Sequence, residues 1–503
     1  MIRQLLNIFF FAAILPVGPA FAQSSSPQAQ ASAKPQSSPQ RPNIIYIMAD
    51  DLGYGDLGCY GQQMIHTPRL DRMAREGLRF TDHYAGHTVC RPSRLSLWTG
   101  KHVGHTGLIG NRSRNLSGNE ATVARRLQQA GYATGGVGKW ALGNVESAAD
   151  IHNAGHPNNN GFDFWFGYLN QSNAHNYYPT FLWRNRTRVP LAGNVLMQDN
   201  PRARGRVSVV RQTYSHDVIT DAALDFIRDS HQEPFLLHVH WTIPHANNEA
   251  GRVLGNGMEV PDLGRYAQRD WPEAEKGYAA MVEKMDTDVG RMLDLLAELQ
   301  IDRRTLVLFT SDNGPHNEAG HTYEFFDSNG PLKGYKRSMH DGGIRVPLLA
   351  YWPGTIAPGR QSDHPSAAWD FLPTACELAG ATPPDDIDGI SYVPTLLGRT
   401  DQQATHEYLY WASSEGATAV GMRQGPWKLV QYRNQSKPGR KAKSSKAGKQ
   451  RPERDVAQDW RLYDLDTDLG EETDVSARHP ERVAGMLALL ERDGLLSPAD
   501  TRE

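Results

Sequence analysis

The apolar residues of this chain recur in two spacings. Ile44-Ile45-Tyr46-Ile47-Met48, Phe235-Leu236-Leu237-His238-Val239-His240, Thr305-Leu306-Val307-Leu308-Phe309-Thr310 and Val346-Pro347-Leu348-Leu349-Ala350-Tyr351 are short, nearly continuous apolar runs. Runs without a polar residue at every second position suit strands covered on both faces by helices. Met281, Met285, Val289, Met292, Leu296 and Leu299 keep a helical spacing instead, and Thr122 to Ala130 is a shorter amphipathic piece. Alternation of the two predicts an α/β fold, a large mixed and mostly parallel sheet sandwiched by helices, over residues 42–387. Beyond about Asp388 the texture changes. His406 to Trp411 and Ala417 to Tyr432 read as strands, the latter broken by a turn at Gln424-Gly425-Pro426, and Pro480 to Arg492 reads as a helix. Residues 388–503 are therefore expected to form a smaller C-terminal domain with a short antiparallel sheet and a helix.

Polar residues at the ends of the buried runs are the first sign of chemistry. Ile44 to Met48 ends at Asp50-Asp51, and Thr305 to Thr310 ends at Asp312-Asn313. Ligands of open α/β sheets bind outside the carboxyl ends of the strands. Singly, each acid is an ordinary cap or turn residue. Together the four side chains offer only oxygen, which suits calcium or magnesium better than zinc. A second signal is Cys90-Arg91-Pro92-Ser93-Arg94, followed by Leu95, Leu97 and Trp98 in what reads as a helix start. A helix N-terminus beside an arginine favours anions. A cysteine in apolar surroundings is otherwise a small core residue.

Composition narrows the setting. The chain has 503 residues, is 39% hydrophobic and 22% charged, and carries a net charge of −3, so no global field points to nucleic acid or an anionic membrane. Arg3, the apolar run from Leu5 to Val17 and Ala20-Phe21-Ala22 form a signal-peptide pattern over residues 1–22, with an uncleaved anchor as the alternative. A periplasmic or secreted location follows, with no membrane span after cleavage. Residues 23–41, rich in Ser, Gln, Ala and Pro, read as a disordered linker. The stretch 437–454, with Lys441, Lys443, Lys446 and Lys449, reads as a solvated loop or as a contact for a polyanionic substrate. Only three cysteines occur, so there is no disulfide framework. Cys59 and Cys376 are two separate buried thiols or, less expectedly, a pair.

Cys90-Arg91-Pro92-Ser93-Arg94 matches the Cys-x-Pro-x-Arg modification signature, and at this point the sequence resembles the sulfatase family. Other segments extend the likeness over roughly residues 42–490. They are Pro42-Asn43-Ile44 through Gly53, Gly138-Lys139-Trp140, Pro244-His245, Ser311-Asp312-Asn313-Gly314, Lys333 with Gly342-Gly343-Ile344-Arg345-Val346-Pro347, and Trp460 to Leu465. The resemblance implies a sulfuric ester hydrolase whose Cys90 is oxidised by a formylglycine-generating maturase. It implies one calcium ion on Asp50, Asp51, Asp312 and Asn313, with the modified Cys90 completing the set, and a sulfated carbohydrate or aryl sulfate as substrate. The hydrated aldehyde would attack sulfur to give a covalent sulfo-enzyme, and expulsion of sulfate would restore the aldehyde. Arg94 and Lys139 would steady the nucleophile, while Lys333 and His245 would bind sulfate and protonate the leaving oxygen.

One position departs from the pattern. Where the family commonly has histidine in Gly-Lys-Trp-His-Leu-Gly, this chain has Ala141. Alanine moves no proton, so the usual base for sulfate expulsion is missing. His175, in Asn173-Ala174-His175-Asn176-Tyr177-Tyr178, is the first candidate to replace it; water or Lys139 is the second, and loss of turnover the third. His175, Tyr177, Tyr178, Trp183 and Arg184 either line a sugar subsite or pack a loop. The competing functions are a phosphonate or phosphate ester hydrolase on the same scaffold and a non-catalytic polyanion binder.

Overall fold

Asn43–Asp50 is buried along its whole length, and the reason lies in what flanks it. It pairs in parallel with Phe235–Pro244 on one side, with a break in register at Ala49, and with Thr305–Ser311 on the other, so its backbone has a ladder to join on both sides. Its side chains then alternate between two cores. Ile45, Ile47 and Ala49 join Met281, Met285, Val289 and Met292 of the helix Glu273–Glu298, with Ile219 and Ile227 of the helix Ser215–Ser230. Ile44, Tyr46 and Met48 join Leu97, Trp98 and Leu372 in the opposite core. A strand apolar on both faces cannot show a polar alternation.

The computed structural model describes residues 41–111, 116–143, 150–415, 418–433 and 460–496. The expected signal peptide, residues 23–40 of the linker and the basic insert 437–454 lie outside the described residues. The main sheet has ten strands. From one edge to the other they are Arg360–Ser362, Leu78–Phe80, Leu348–Tyr351, Thr305–Ser311, Asn43–Asp50, Phe235–Pro244, Ala133–Lys139, Phe164–Tyr168, Phe181–Arg184 and Thr187–Pro190. The run from Thr305–Ser311 to Phe164–Tyr168 is parallel, and the strands flanking it on each side pair antiparallel. This is the mixed, mostly parallel sheet expected. Parallel pairing brings the carboxyl ends of the central strands to one edge, which is where the polar residues wait.

A second sheet of four antiparallel strands, Leu409–Ser413, Thr418–Gln424, Trp427–Arg433 and Trp460–Asp464, follows in sequence order. On one face Val420, Met422, Leu429 and Leu462 pack on Val483, Met486 and Leu490 of the helix Pro480–Arg492. On the other, Trp411, Ala419, Val430 and Tyr463 pack on Tyr84, Met339, Ile344 and Trp369. The sheet is thus clamped between its own helix and the larger part of the chain. Residues from Arg41 onward accordingly cluster as one compact unit.

Small differences from the sequence expectation have local causes. The strand expected from Val346 starts at Leu348, because Pro347 has no N–H to give a ladder. The strand expected from His406 starts at Leu409, since His406 turns away to bond Asp370 Oδ1 at 2.8 Å. Cys59 and Cys376 are both free thiols.

Candidate active site

Four adjacent parallel strands deliver the site. Asp50 ends the first of them, and Asp51 follows with φ 69°. This left-handed turn, uncommon for a residue with a side chain, brings two consecutive carboxylates to the strand end. Asp312 and Asn313 follow Thr305–Ser311, Lys139 ends Ala133–Lys139, and His245 follows Phe235–Pro244. The loops are tied together: the Leu52 amide donates to Ser311 Oγ (2.9 Å), whose hydroxyl donates to the Asn313 carbonyl (2.9 Å). Gly138, with φ 93°, is needed where it is, because a Cβ there would lie 1.9 Å from the His240 carbonyl oxygen.

Cys90 opens the helix Cys90–Thr99 and is 1% exposed. Its Sγ lies 3.9 Å from Asp51 Oδ1. Arg94, one turn further on, is fully buried. Its Nε (3.0 Å) and Nη2 (2.7 Å) donate to Asp312 Oδ2, and Nη1 donates to the Lys139 carbonyl (3.1 Å) and meets His240 Nδ1 (2.8 Å). Lys139 Nζ sits 2.6 Å from Asp50 Oδ2. Arg94 and Lys139 therefore grip the acids, which holds those side chains in place.

A third cation closes the ring, and it is Lys336. Its buried ammonium donates to Asp51 Oδ2 (2.7 Å), lies 3.2 Å from His245 Nε2 and is 3.6 Å from Glu318 Oε2. Lys333, the lysine expected here, stands elsewhere. Its ammonium donates to the Glu471 carbonyl (2.8 Å) at a position one-third exposed. Two lysines three residues apart in a loop give no periodicity by which sequence could separate them. His245 donates from Nδ1 to the Ala246 carbonyl (2.7 Å), which leaves Nε2 as an acceptor facing Lys336. Burial, reinforced by the Lys336 charge, pushes His245 down to about 3.

His175 lies one ring outward. It stacks on His245 with centroids 4.9 Å apart and planes 20° apart, and its Nδ1 is 3.0 Å from Glu249 Oε2. Of the aromatic residues beside it, Trp183 lines a cleft with Asn173, Asn176 and Phe181, while Tyr177 and Tyr178 do not. Tyr177, Tyr178 and Trp183 are buried in the packing, and Tyr177 Oη donates to the Thr242 and His245 carbonyls. Arg184 is exposed and lies over Phe164 and Phe166. Ala141 is buried with φ 69° and contributes only a methyl group.

The acids suit a hard cation. Asp50 Oδ1 and Asn313 Oδ1 are buried without a hydrogen-bond partner, an arrangement that costs several kcal/mol unless something is bound there. The Asn313 amide is oriented by its own donors, Nδ2 bonding Asp51 Oδ1 (2.7 Å) and the Gly314 carbonyl (2.9 Å), so Oδ1 is the atom left over. Burial and the Asp50 charge push the Asp312 carboxyl up to about 7 even with Arg94 forked onto it. Burial would raise Asp50 too, but Lys139 and Arg94 hold it well below the usual carboxylate range. Asp50, Asp51 and Asp312 cancel Arg94, Lys139 and Lys336 in charge. A neutral cluster has little grip on an anion; a divalent cation on those oxygens would supply it.

A second group, His102, His105 and Asp388, is a different matter. His102 Nδ1 accepts the Gly104 amide (3.1 Å), so the ring's proton sits on Nε2, facing Asp388 at 3.6 Å. That nitrogen has no lone pair for a metal, and the group serves as a helix cap and ion pair.

Comparison with known proteins gives this arrangement a family. The model described as "Sulfatase" matches residues 42–381, and "N-sulphoglucosamine sulphohydrolase, C-terminal" matches 333–439. The chain belongs to the sulfatase family. Steryl-sulfatase of Mus musculus is 34% identical over 463 residues, covering 78% of this sulfatase and 71% of that protein. N-acetylgalactosamine-6-sulfatase of Canis lupus familiaris is 33% identical over 408 residues, covering 77% and 71%. Among solved structures, i-CgsB in complex with k-i-k-neocarrahexaose superposes with a TM-score of 0.71 at 26% identity, covering 90% of the sulfatase and 92% of that chain. The fold expected from the apolar pattern and the family expected from the motifs are thus both met. No described helix of the sulfatase is long and apolar enough to cross a membrane.

Proposed function

We propose that this sulfatase removes sulfate from a sulfated glycan, with oxidised Cys90 as the nucleophile and calcium held by Asp50, Asp51, Asp312 and Asn313. The observation that carries the reading is the surroundings of Cys90. Burial, and then the Asp50 carboxylate, push its thiol well above the ordinary range, so as a thiol it would be a poor nucleophile. Yet it stands at a helix N-terminus beside the unpartnered Asp50 and Asn313 oxygens, and a divalent cation on those oxygens would make this a place for an anion. Oxidation to formylglycine, whose hydrate carries hydroxyl nucleophiles, resolves that conflict, and the family resemblance supports it.

The chain's own residues divide the remaining work. Arg94 and Lys139 fix Asp312 and Asp50, so the oxygens for the cation do not drift. Lys336, in the role expected of Lys333, reaches between Asp51 and His245 to meet a sulfate oxygen. His245, neutral and tied to the Ala246 carbonyl, positions Lys336. Charge placed before the substrate arrives costs no reorganisation when the S–O bond breaks. Calcium would add the concentrated positive charge that a shielded sulfur centre requires. Two relatives support a glycan, N-acetylgalactosamine-6-sulfatase and the structure solved with neocarrahexaose, while steryl-sulfatase stands for a steroid alcohol instead. The signal-peptide pattern supports work outside the cytoplasm, after a maturase has acted on Cys90.

The test compares wild type, Lys336→Ala and Lys333→Ala on an aryl sulfate and the matching aryl phosphonate. Wild type is expected to prefer the sulfate. Lys336→Ala is expected to lose about 10²–10³-fold in kcat, the scale of one transition-state charge contact, and Lys333→Ala less than about threefold. Preference for the phosphonate, or equal losses in the two variants, would sink this reading.

A further inference from the structure

Ala141 leaves the sulfatase without a proton-handling group at the usual place, and the described residues show where else a proton can be handled. His245 has spent both ring nitrogens, one on the Ala246 carbonyl and one on Lys336. Lys336 holds its protons against two carboxylates, Asp51 and Glu318. His316 donates from Nε2 to the Pro244 carbonyl (3.1 Å) and is fully enclosed. His175 differs from all three. Its side chain is 15% exposed, it stacks on His245 at the outer side of the cluster, and only its Nδ1 is engaged.

What engages that nitrogen is Glu249, whose side chain is 4% exposed and so committed to this contact. Arg206 Nη1 (3.7 Å) and Arg252 Nη1 (3.6 Å) flank its other oxygen. Burial alone would raise the Glu249 carboxyl; the His175 bond and Arg206 bring it below the usual range instead. A carboxylate accepting from Nδ1 fixes the imidazole's tautomer and orientation, leaving Nε2 as the nitrogen that can exchange a proton. The segment itself is anchored, since Tyr168 Oη donates to the Asn176 carbonyl (2.5 Å) and Tyr177 Oη ties the turn to the His245 loop. The stacking on His245 is therefore a built contact between two anchored loops.

We propose that His175, oriented by Glu249, is the general acid for the departing alcohol oxygen of the substrate. The inference rests on the sulfatase reading of the Cys90 site. When the ester S–O bond breaks, its electron pair stays on the alcohol oxygen, which takes the proton from His175 Nε2. The neutral imidazole keeps its Nδ1 proton on Glu249 and regains the other from solvent at its exposed edge. His175 is then a catalytic residue and Glu249 a positioning residue. This places His175 on the leaving-group side, at a different step from the sulfate expulsion for which its sequence position suggested it.

The experiment follows kcat/KM across phenyl sulfates whose phenols range from strongly to weakly acidic, for wild type, His175→Gln and Glu249→Gln. Thermal midpoints identify any variant that has not folded. A weakly acidic phenol needs the proton most, and positioned acids contribute about 10²–10⁴-fold, so the His175→Gln loss should rise from under about tenfold at 4-nitrophenyl sulfate to over about 100-fold at the least acidic phenol. Glu249→Gln should steepen the dependence in the same sense, by about tenfold across the series. A loss uniform across the phenols in a folded variant would mean binding or packing and would overturn the proposal. A wild type inactive on the whole series and on sulfated mono- and oligosaccharides would overturn the sulfatase reading of the site instead, and the inference with it.

Discussion

Cys90→Ala is expected to remove turnover of an aryl sulfate by at least about 10⁴-fold, the scale of deleting a covalent nucleophile. The same change should cost little stability. Cys90 is the first residue of a ten-residue helix, and alanine keeps that helix. Its Sγ has one long polar contact, 3.9 Å to Asp51 Oδ1, so the loss is that of one small buried group, about 1 kcal/mol. The separation of the two effects is the point. Arg94, Lys139 and Lys336 remain on their acids in the variant and keep the Asp50, Asp51, Asp312 and Asn313 oxygens placed for a cation, so binding of a sulfate ester should survive. Turnover within about tenfold of wild type would show that the cations act without a covalent nucleophile.

The largest effect on stability is expected far from the chemistry. Lys428 lies on the face of the C-terminal sheet that meets the rest of the chain, and its ammonium donates to Asp341 Oδ1 at 2.6 Å with both side chains wholly buried. Tyr84 Oη (2.7 Å) and Arg345 Nη1 (3.3 Å) complete the carboxylate's partners. Lys428→Met keeps the packing but leaves a buried carboxylate short of a charge, which costs about 3–5 kcal/mol. The penalty should depend on pH in a defined direction. Burial would raise the Asp341 carboxyl, but Lys428 and Arg345 hold it well below the usual range. A depressed carboxylate contributes stability above its unfolded pKa of about 4 and loses it as pH falls. Denaturant unfolding should therefore show a wild-type-to-variant difference that is full at pH 7 and shrinks below about pH 4. A difference under about 1 kcal/mol at neutral pH would mean that Arg345 and Tyr84 suffice.

Much of the site was legible because its residues close strands that are themselves legible. Asp50-Asp51 and Asp312-Asn313 each end a run that is apolar on both faces, and parallel pairing brings such ends together whatever the loops do. Cys90 was marked by the helix that begins at it. Lys336 was not legible, since Lys333 fits the same loop and only the fold decides which ammonium reaches Asp51. Glu249 was hidden for a related reason: a glutamate in the first turn of a helix reads as a solvated cap, and the imidazole that claims it comes from a turn 74 positions away in sequence. Lys428 stands in an alternating strand where a lysine suggests the solvent side, but that face is covered by Tyr84 and Trp411. Local pattern gives elements and their ends. Which distant charge meets which is fixed only when the sheets pack.

Whether Cys90 works in oxidised form is decided by mass spectrometry of the peptide containing it. The full chain should be produced with a maturing oxidase, beside a sulfatase known to be processed under those conditions. The mass of the aldehyde, or of its hydrate, is expected at Cys90 in the turnover-competent protein. An unmodified thiol at Cys90 in protein that still cleaves an aryl sulfate would contradict an oxidised nucleophile.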